Sequence, residues 1–185
     1  MKFRAIIHRL GRLVSAFSGD SKAATAVEFA LVAAPFIFIL MAVFELALVY
    51  TVSTTLDNAT AKVARLVRTG QLQTAGGVST ATFTQKICAN MGWLTTDCPN
   101  NLSVDVRTFT SFQSIAVASP VANGQFQSSA LQFNLGTAGD IVLVRAYYQW
   151  GLFTPFLDGG LQPLSNGSAL IVATTAFRNE PYVAP

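Results

Sequence analysis

The chain has 185 residues, which allows one membrane-spanning helix and one outer domain of about 115 to 130 residues. Charged residues make up 11% of the chain and hydrophobic residues 51%. Soluble domains have about 25% charged residues, so this composition favours a membrane-associated protein. The net charge is +3, and the excess of basic residues lies before the apolar stretch, whereas the signs nearly balance after Glu45. This uneven placement indicates membrane topology. Basic and aromatic residues do not interleave as in single-strand binders, so no nucleic-acid partner is predicted.

Residues 1–23 are predicted to form a short cytoplasmic leader. Apolar residues recur at helical spacing among the basic ones, as in a basic amphipathic helix on the inner leaflet. A plain positively charged flank is the alternative and gives the same topology, with the remaining chain outside the cytoplasm. The basic residues are Lys2, Arg4, Arg9, Arg12 and Lys22, and Asp20 is the acid among them.

The stretch 24–69 is predicted to be a transmembrane helix with an amphipathic extension. From Phe29 to Tyr50 the only charged residue is Glu45, and about 20 apolar residues suffice to cross roughly 30 Å of hydrocarbon. A cleaved secretory signal is the alternative, but this run exceeds the 7–15 residues typical of its apolar region. From Thr51 to Arg68 an apolar stripe predicts that the helix continues and carries the outer domain. The stripe consists of Val52, Leu56, Val63, Leu66 and Val67.

Three residues of the predicted apolar helix are not required for spanning a membrane: Glu28, Pro35 and Glu45. Pro35 removes one backbone hydrogen bond of the helix. Glu28 and Glu45 are 17 residues apart, or about 26 Å along a helix, so they cannot pair with each other. Acids inside a membrane are costly and suggest a functional role. Glu45 could instead be an interfacial acid that reaches water.

Residues 70–185 are predicted to form an α+β domain with three or four antiparallel strands. After a linker at 71–80, a short helix is predicted at Thr82–Met91. Alternating apolar and polar residues predict a strand with one buried face at Leu102–Phe109, and two further strands are predicted at Ile141–Trp150, the clearest of the three, and at Ser168–Phe177. Residues 111–118 and 125–134 could hold short strands or loops, and 151–166 is predicted to be a long loop because it is rich in glycine and proline.

Cys88 and Cys98 are the only cysteines and lie on the outer side of the predicted span. In an oxidising compartment two such cysteines are predicted to form a disulfide. A metal site would need more ligands, and His8 is the only histidine and lies on the other side. No metal or cofactor is therefore predicted.

Catalysis is not predicted either. A Ser-His-Asp triad lacks a histidine on the outer side. The outer acids lie on strands and turns, where acids are usually solvated. Arg107 and Arg145 are expected to pair with acids such as Asp105 or Glu180. Tyr147, Tyr148 and Trp150 are expected to serve as core and interface aromatics.

Several strings in the chain carry a resemblance to a known family. In the helix they are Ala-Val-Glu-Phe-Ala-Leu-Val at 26–32, Pro35, Phe-Glu-Leu at 44–46 and Leu-Asp-Asn-Ala-Thr-Ala-Lys-Val-Ala-Arg at 56–65. The outer domain adds the paired cysteines and the strings at 104–109, 139–150 and 177–182. Together these strings resemble the TadE family, the pilin-like proteins of tight-adherence (Tad) type IV pilus systems. The resemblance implies a pilin-like fold, with a long N-terminal helix and a small antiparallel sheet.

The resemblance also implies a cleavage site. In pilin-like proteins a prepilin peptidase cuts so that a glutamate stands fifth in the mature chain. If Glu28 is that residue, Ala24 becomes the new N-terminus and Ala23 precedes the cut, where the family usually has glycine. The new amine of one subunit could then pair with Glu28 of a neighbour. If the chain is not cut, Glu28 is an acid near a helix N-terminus, which the helix dipole favours.

The function implied is that of a minor pilin or pseudopilin in pilus assembly, initiation and adhesion. Glu28, Phe29, Pro35 and Glu45 would take part in subunit assembly. The partners would be the bacterial inner membrane, other pilin-like subunits including the major pilin, the prepilin peptidase and the pilus assembly platform. The competing hypothesis is a permanently anchored envelope protein whose outer domain, in the periplasm, binds a ligand or surface.

Overall fold

A computed structural model describes residues 21–76, 78–154 and 164–182. The predicted leader helix therefore lies largely outside the described residues, as does much of the predicted loop at 151–166. The chain divides into two compact units, Met1–Phe44 and Glu45–Pro185. The second unit contains the C-terminal part of the long helix together with the outer domain.

The long helix, α1, covers Ser21–Arg68 and continues through Pro35. This confirms that the helix extends well past Tyr50. Arg65 and Arg68 stand in its last turn, where positive charge is favoured by the helix dipole. The helix stops before Gly70, whose φ of 73° suits glycine and where a side chain would overlap the ring of Tyr182.

The outer domain is built on a three-stranded antiparallel sheet whose central strand covers Ile141–Gly151. Its strands are β1 (Leu102–Phe109), β4 (Ile141–Gly151) and β5 (Ser168–Arg178), and a separate small hairpin consists of β2 (Val121–Ala122) and β3 (Gln125–Phe126). The three predicted strands are confirmed, with β4 and β5 each one residue longer than expected. A long N-terminal helix followed by a small antiparallel sheet confirms the α+β fold class.

The core of the outer domain lies between the C-terminal part of α1 and one face of the sheet. Val52, Leu56, Val63 and Val67 of the predicted stripe are fully buried, whereas Leu66 is only partly buried. They share one hydrophobic cluster with β1 and β4 residues such as Val104, Val106, Val142 and Val144. Each fully buried side chain of this size contributes about 1.5–3 kcal/mol. The helix therefore carries the domain through packing, as its periodicity predicted.

The short elements differ from expectation. The linker contains a helical turn, α2 (Gln71–Thr74), because Leu72 is buried in the core. The next helix, α3, covers Thr80–Cys88 rather than 82–91, and the side chain of Ser79 caps it by accepting from the Thr82 amide. It is followed by a 3₁₀ turn and by α4 (Cys98–Asn101).

The two segments left open as strand or loop are mostly irregular. Residues 111–118 hold a 3₁₀ turn at Phe112–Ser114, and a strand within 125–134 is limited to β3. Residues 132–134 lie beside β1, where the Val106 amide donates to the Gln132 carbonyl at 2.8 Å and the Asn134 amide to the Val106 carbonyl at 2.9 Å. This segment therefore covers part of the outer edge of the sheet.

The predicted disulfide is confirmed. Cys88 at the end of α3 is bonded to Cys98 at the start of α4, with 5.5 Å between the two Cα atoms. Both cysteines are buried in the core cluster.

Replacing Cys88 and Cys98 together with serine is expected to lower the free energy of unfolding by roughly 3 kcal/mol, because the open chain regains loop entropy. Denaturant unfolding of the detergent-solubilised full chain, with and without reductant, measures the loss. Reductant should destabilise the wild type and leave the double variant unchanged. An equal unfolding midpoint for oxidised and reduced wild type would contradict the expectation.

Candidate functional site

The first half of α1 presents an apolar surface to its surroundings. The helix has a window with a mean hydropathy of 2.5, and within the described residues it is the one helix long and apolar enough to cross a membrane. Signal sequences pass the same test of length and composition. Monomeric soluble proteins rarely expose so large an apolar patch, so the helix supports membrane anchoring. Exposed apolar residues before Glu45 include Val27, Phe29, Leu31, Val32, Phe36, Ile37, Ile39, Leu40, Val43 and Phe44.

The predicted cleavage and assembly residues lie along this helix. Ala23 and Ala24 are in its first turn, and Glu28 follows Ala24 by one helical turn. Glu28, Phe29 and Pro35 are exposed, so a neighbouring helix could reach all three. Their roles in cleavage and assembly stay predictions.

Glu45 has an environment that the sequence did not reveal. Its side chain is 0% exposed. One carboxylate oxygen, Oε1, accepts a hydrogen bond from the Phe153 amide at 2.6 Å, and the other, Oε2, accepts from the Thr154 amide at 2.8 Å. Glu45 is thus not the water-facing interfacial acid considered above, because the turn after β4 encloses it. Its contact with another subunit stays a prediction.

The turn at 152–154 meets Glu45 because β4 ends at Gly151. Beyond that residue the amides no longer have ladder partners, and buried amides need an acceptor. A carboxylate satisfies two of them at once through charge-assisted hydrogen bonds, which are stronger than neutral ones. The sequence did not indicate that Phe153 and Thr154 bind Glu45, because the pattern at 151–166 predicted only a loop. The available clue was the acid itself, since a buried carboxylate requires donors.

A second buried acid, Asp105, accepts several hydrogen bonds on the face of the sheet that is turned away from α1. It stands opposite Arg145 in the β1–β4 register and is fully buried. Its carboxylate is 2.7 Å from Nη2 of Arg145 and 2.9 Å from Nε of Arg107, and it accepts from the Gln132 amide at 2.7 Å. The expected pairing of both arginines with Asp105 is confirmed.

The same arginines extend this network, here called the Asp105 network, into the irregular segment between β1 and β4. Arg107 donates to the Ala130 carbonyl at 2.6 Å and Arg145 to the Ala118 carbonyl at 3.4 Å. Arg145 also lies over the ring of Tyr147, 5.3 Å from its centroid. Because these bonds reach residues 118–132, the network holds the segment against the sheet. Glu180, the other acid considered, pairs with the exposed Arg68 at 3.0 Å instead.

Burial alone would raise the pKa of Asp105, but hydrogen bonds from Arg145, the Gln132 amide and Arg107 outweigh it and leave the pKa below its usual value. Asp105 therefore contributes stability above the pKa of an unfolded aspartate, about 3.9, and loses that contribution as the pH falls through the lower folded value.

We therefore expect the free energy of unfolding of the wild type to fall steeply below about pH 4. Denaturant unfolding measured across this pH range tests the expectation. The Asp105→Asn variant should show a shallower dependence on pH in the same range. Equal slopes for the two proteins would show that Asp105 does not contribute.

The comparisons with known proteins add one finding. Residues 23–65 match the family model described as TadE-like protein, which confirms the resemblance over this part of α1. The matched segment contains Glu28, Pro35 and Glu45. No curated protein and no solved structure matches the chain. The match supports involvement in a tight-adherence pilus system.

Proposed function

We propose that this TadE-like chain is a non-enzymatic minor pilin or pseudopilin of a tight-adherence type IV pilus, with a role in pilus assembly or initiation and in surface adhesion. The observation that carries the proposal is α1 itself. Its first half is exposed and apolar, its second half is packed into the outer domain, and the family match covers both. A subunit that leaves a bilayer for a helical bundle needs such a helix, because both surroundings accept an apolar surface.

The proposed topology places the leader in the cytoplasm and the outer domain in the periplasm. The basic residues before the span favour this orientation. The Cys88–Cys98 disulfide supports it, because disulfides persist in oxidising compartments. In this topology the helix is anchored in the bacterial inner membrane, and the outer domain can later reach the extracellular pilus.

Glu28 and the bond between Ala23 and Ala24 are the proposed functional features of the helix. Cleavage would create an ammonium on Ala24, and Glu28 of a neighbouring subunit would be its partner in a bundle of low dielectric constant. Phe29 and Pro35 are exposed on the same helix and would contact neighbouring subunits. The proposed partners are the prepilin peptidase, the assembly platform, and other pilin-like subunits including the major pilin.

Intact-mass measurement of the full chain, purified from membranes with and without a co-expressed prepilin peptidase, tests the cleavage step. We expect a product that begins at Ala24 only when the peptidase is present. Ala23→Gly restores the residue usual in the family and should raise the cleaved fraction. A chain that still begins at Met1 in both the wild type and Ala23→Gly would contradict cleavage.

Entry into the filament needs a separate measurement. Sheared pili from cells that express a tagged chain should contain it, and cells without the chain should assemble fewer pili. A chain found only in the membrane, with normal piliation in its absence, would argue against an assembly role.

One feature favours a second candidate function. Ala23 stands where the family usually has glycine, and an uncut chain would stay in the membrane as an anchored envelope protein. Its outer domain would then bind a ligand or surface. The mass measurement separates the two candidates, because only the processed pilin loses its leader.

A further inference from the structure

We propose that the outer domain rests on the bilayer through an aromatic rim formed by Trp93 and Phe153 beside the end of the apolar helix. The partner is the lipid interface, where Trp is favoured because its ring is apolar and its N–H is polar, and where the apolar ring of Phe gains by leaving water. The inference deepens the proposed membrane-anchored role. It depends on anchoring alone and not on cleavage or filament entry.

The hydrogen bonds to Glu45 determine at which height along the axis of α1 the rim lies. They hold the amides of Phe153 and Thr154 within 2.8 Å of the carboxylate. The apolar run of α1 continues past Glu45 to Tyr50, five residues or about 7 Å further along the helix axis. The turn at 152–154 is therefore level with apolar helix residues that lie on the membrane side of Tyr50. A side chain exposed from this turn meets the interface.

The exposure of the aromatic rings supports a lipid contact. Phe153 is 47% exposed although both amides around it are tied to Glu45, and Tyr50 is 72% exposed. Leu46, one residue after Glu45, is also exposed. Phe153 thus presents an exposed apolar ring at the level of Glu45, next to the exposed Leu46, so lipid at this level of the helix would also meet Phe153.

Trp93 extends the rim away from the helix. Its ring packs edge-to-face on that of Trp150, with 6.0 Å between the centroids. Trp150 is three residues before Phe153, at most about 10 Å along the chain. Trp93 is 59% exposed, so the Trp150 contact leaves most of its surface open. Trp93 therefore lies at the same end of β4 as the segment with Phe153, and an indole there can place its ring among lipid carbons and its N–H among headgroups.

The far end of the sheet provides an internal control. Phe109 pairs with Ile141, at the opposite end of β4 from Trp150. These two ends are about 30 Å apart at 3.3 Å per residue. Phe112, three residues after Phe109, is exposed as well. An exposed aromatic side chain in the same domain is thus available far from the proposed interface.

Fluorescence quenching in vesicles tests the rim, because Trp93 and Trp150 are the only tryptophans. The full chain is reconstituted into phosphatidylcholine vesicles, part of whose lipid carries bromine on the acyl chain near the headgroup. In Trp150→Phe, which retains Trp93, we expect bromine to reduce the emission. A second variant combines Trp93→Phe and Trp150→Phe with Phe153→Trp, so that its single tryptophan stands at position 153. Bromine should reduce the emission of this variant in the same way. The corresponding variant with Phe112→Trp instead should keep its emission and be quenched by acrylamide from the water.

A carbonate wash of the vesicles distinguishes a failure of membrane anchoring from a failure of the lipid contact at the rim. Loss of the protein from the vesicles would overturn the membrane anchoring on which the inference rests. Retained protein with undiminished emission from Trp93 and from Phe153→Trp would overturn the rim alone. Emission that resists bromine but depends on the protein-to-lipid ratio would assign the rings to a neighbouring subunit. A shift of Trp93 emission by added sugar without bromine quenching would assign them to a carbohydrate site. Both latter results would overturn the lipid contact.

Discussion

Replacing Glu45 with alanine is expected to lower the free energy of unfolding of the outer domain by roughly 3–6 kcal/mol, because hydrogen bonds to a charged group contribute about 1.5–3 kcal/mol each. The carboxylate accepts two such bonds, and its removal leaves the amides of Phe153 and Thr154 without an acceptor. Denaturant unfolding of the detergent-solubilised chain measures the loss. Hydrogen exchange at these two amides should become much faster.

Two further variants make this prediction specific. Glu45→Gln keeps one acceptor oxygen but turns an amide group toward the second donor, so it should lose about half as much stability as Glu45→Ala. Glu28→Ala removes an exposed acid from the same helix and should change the stability of the outer domain by less than about 0.5 kcal/mol. Equal stability of Glu45→Ala and Glu28→Ala would show that the Glu45 bonds contribute nothing.

The second large effect is expected at Asp105. Asp105→Asn should lower the free energy of unfolding by about 3–5 kcal/mol, the usual effect of removing one partner of a buried ion pair. The guanidinium groups of Arg145 and Arg107 would then share a partly buried site without a counter-charge. The Gln132 amide would lose a charged acceptor as well. Limited proteolysis should show faster cleavage within residues 118–132, which the network holds.

The exposed ion pair between Arg68 and Glu180 serves as the matched control. Both side chains are about half exposed, and Glu180→Gln leaves the bond from the Glu180 amide to the Arg68 carbonyl in place. Exposed pairs contribute at most about 1 kcal/mol, so this variant should unfold almost like the wild type. A similar loss in both variants would contradict a special role of the buried network.

The pattern of apolar residues was sufficient to predict the main elements. The unbroken run up to Tyr50 and the stripe from Val52 to Val67 predicted one long helix, which extends over Ser21–Arg68. Alternation predicted β1 to the residue, because a half-buried strand places every second side chain in the core. The ends of β4 and β5 were predicted to within one residue, although the first eight residues of β4 are all buried and do not alternate. The expected location of both cysteines in an oxidising compartment predicted the Cys88–Cys98 disulfide.

Periodicity could not decide between strand and loop where the backbone is irregular. Residues 111–118 offered enough apolar residues for a strand but adopt a 3₁₀ turn and coil. What holds residues 127–134 is their pairing with Val106 and the Asp105 network, both distant in sequence. Side-chain patterns report which face of a regular element is buried. They carry no information about a loop that is held by individual hydrogen bonds.

By itself, the sequence determined that the chain has a long apolar helix, a three-stranded domain, a disulfide and a TadE-like segment. Local periodicity and composition express these features directly. Only the tertiary structure decided how the buried acids are used. Glu45 is 108 residues from the amide of Phe153, and Asp105 is 40 residues from Arg145. A carboxylate in an apolar environment must find donors, but the packing of the chain chooses which donors those are.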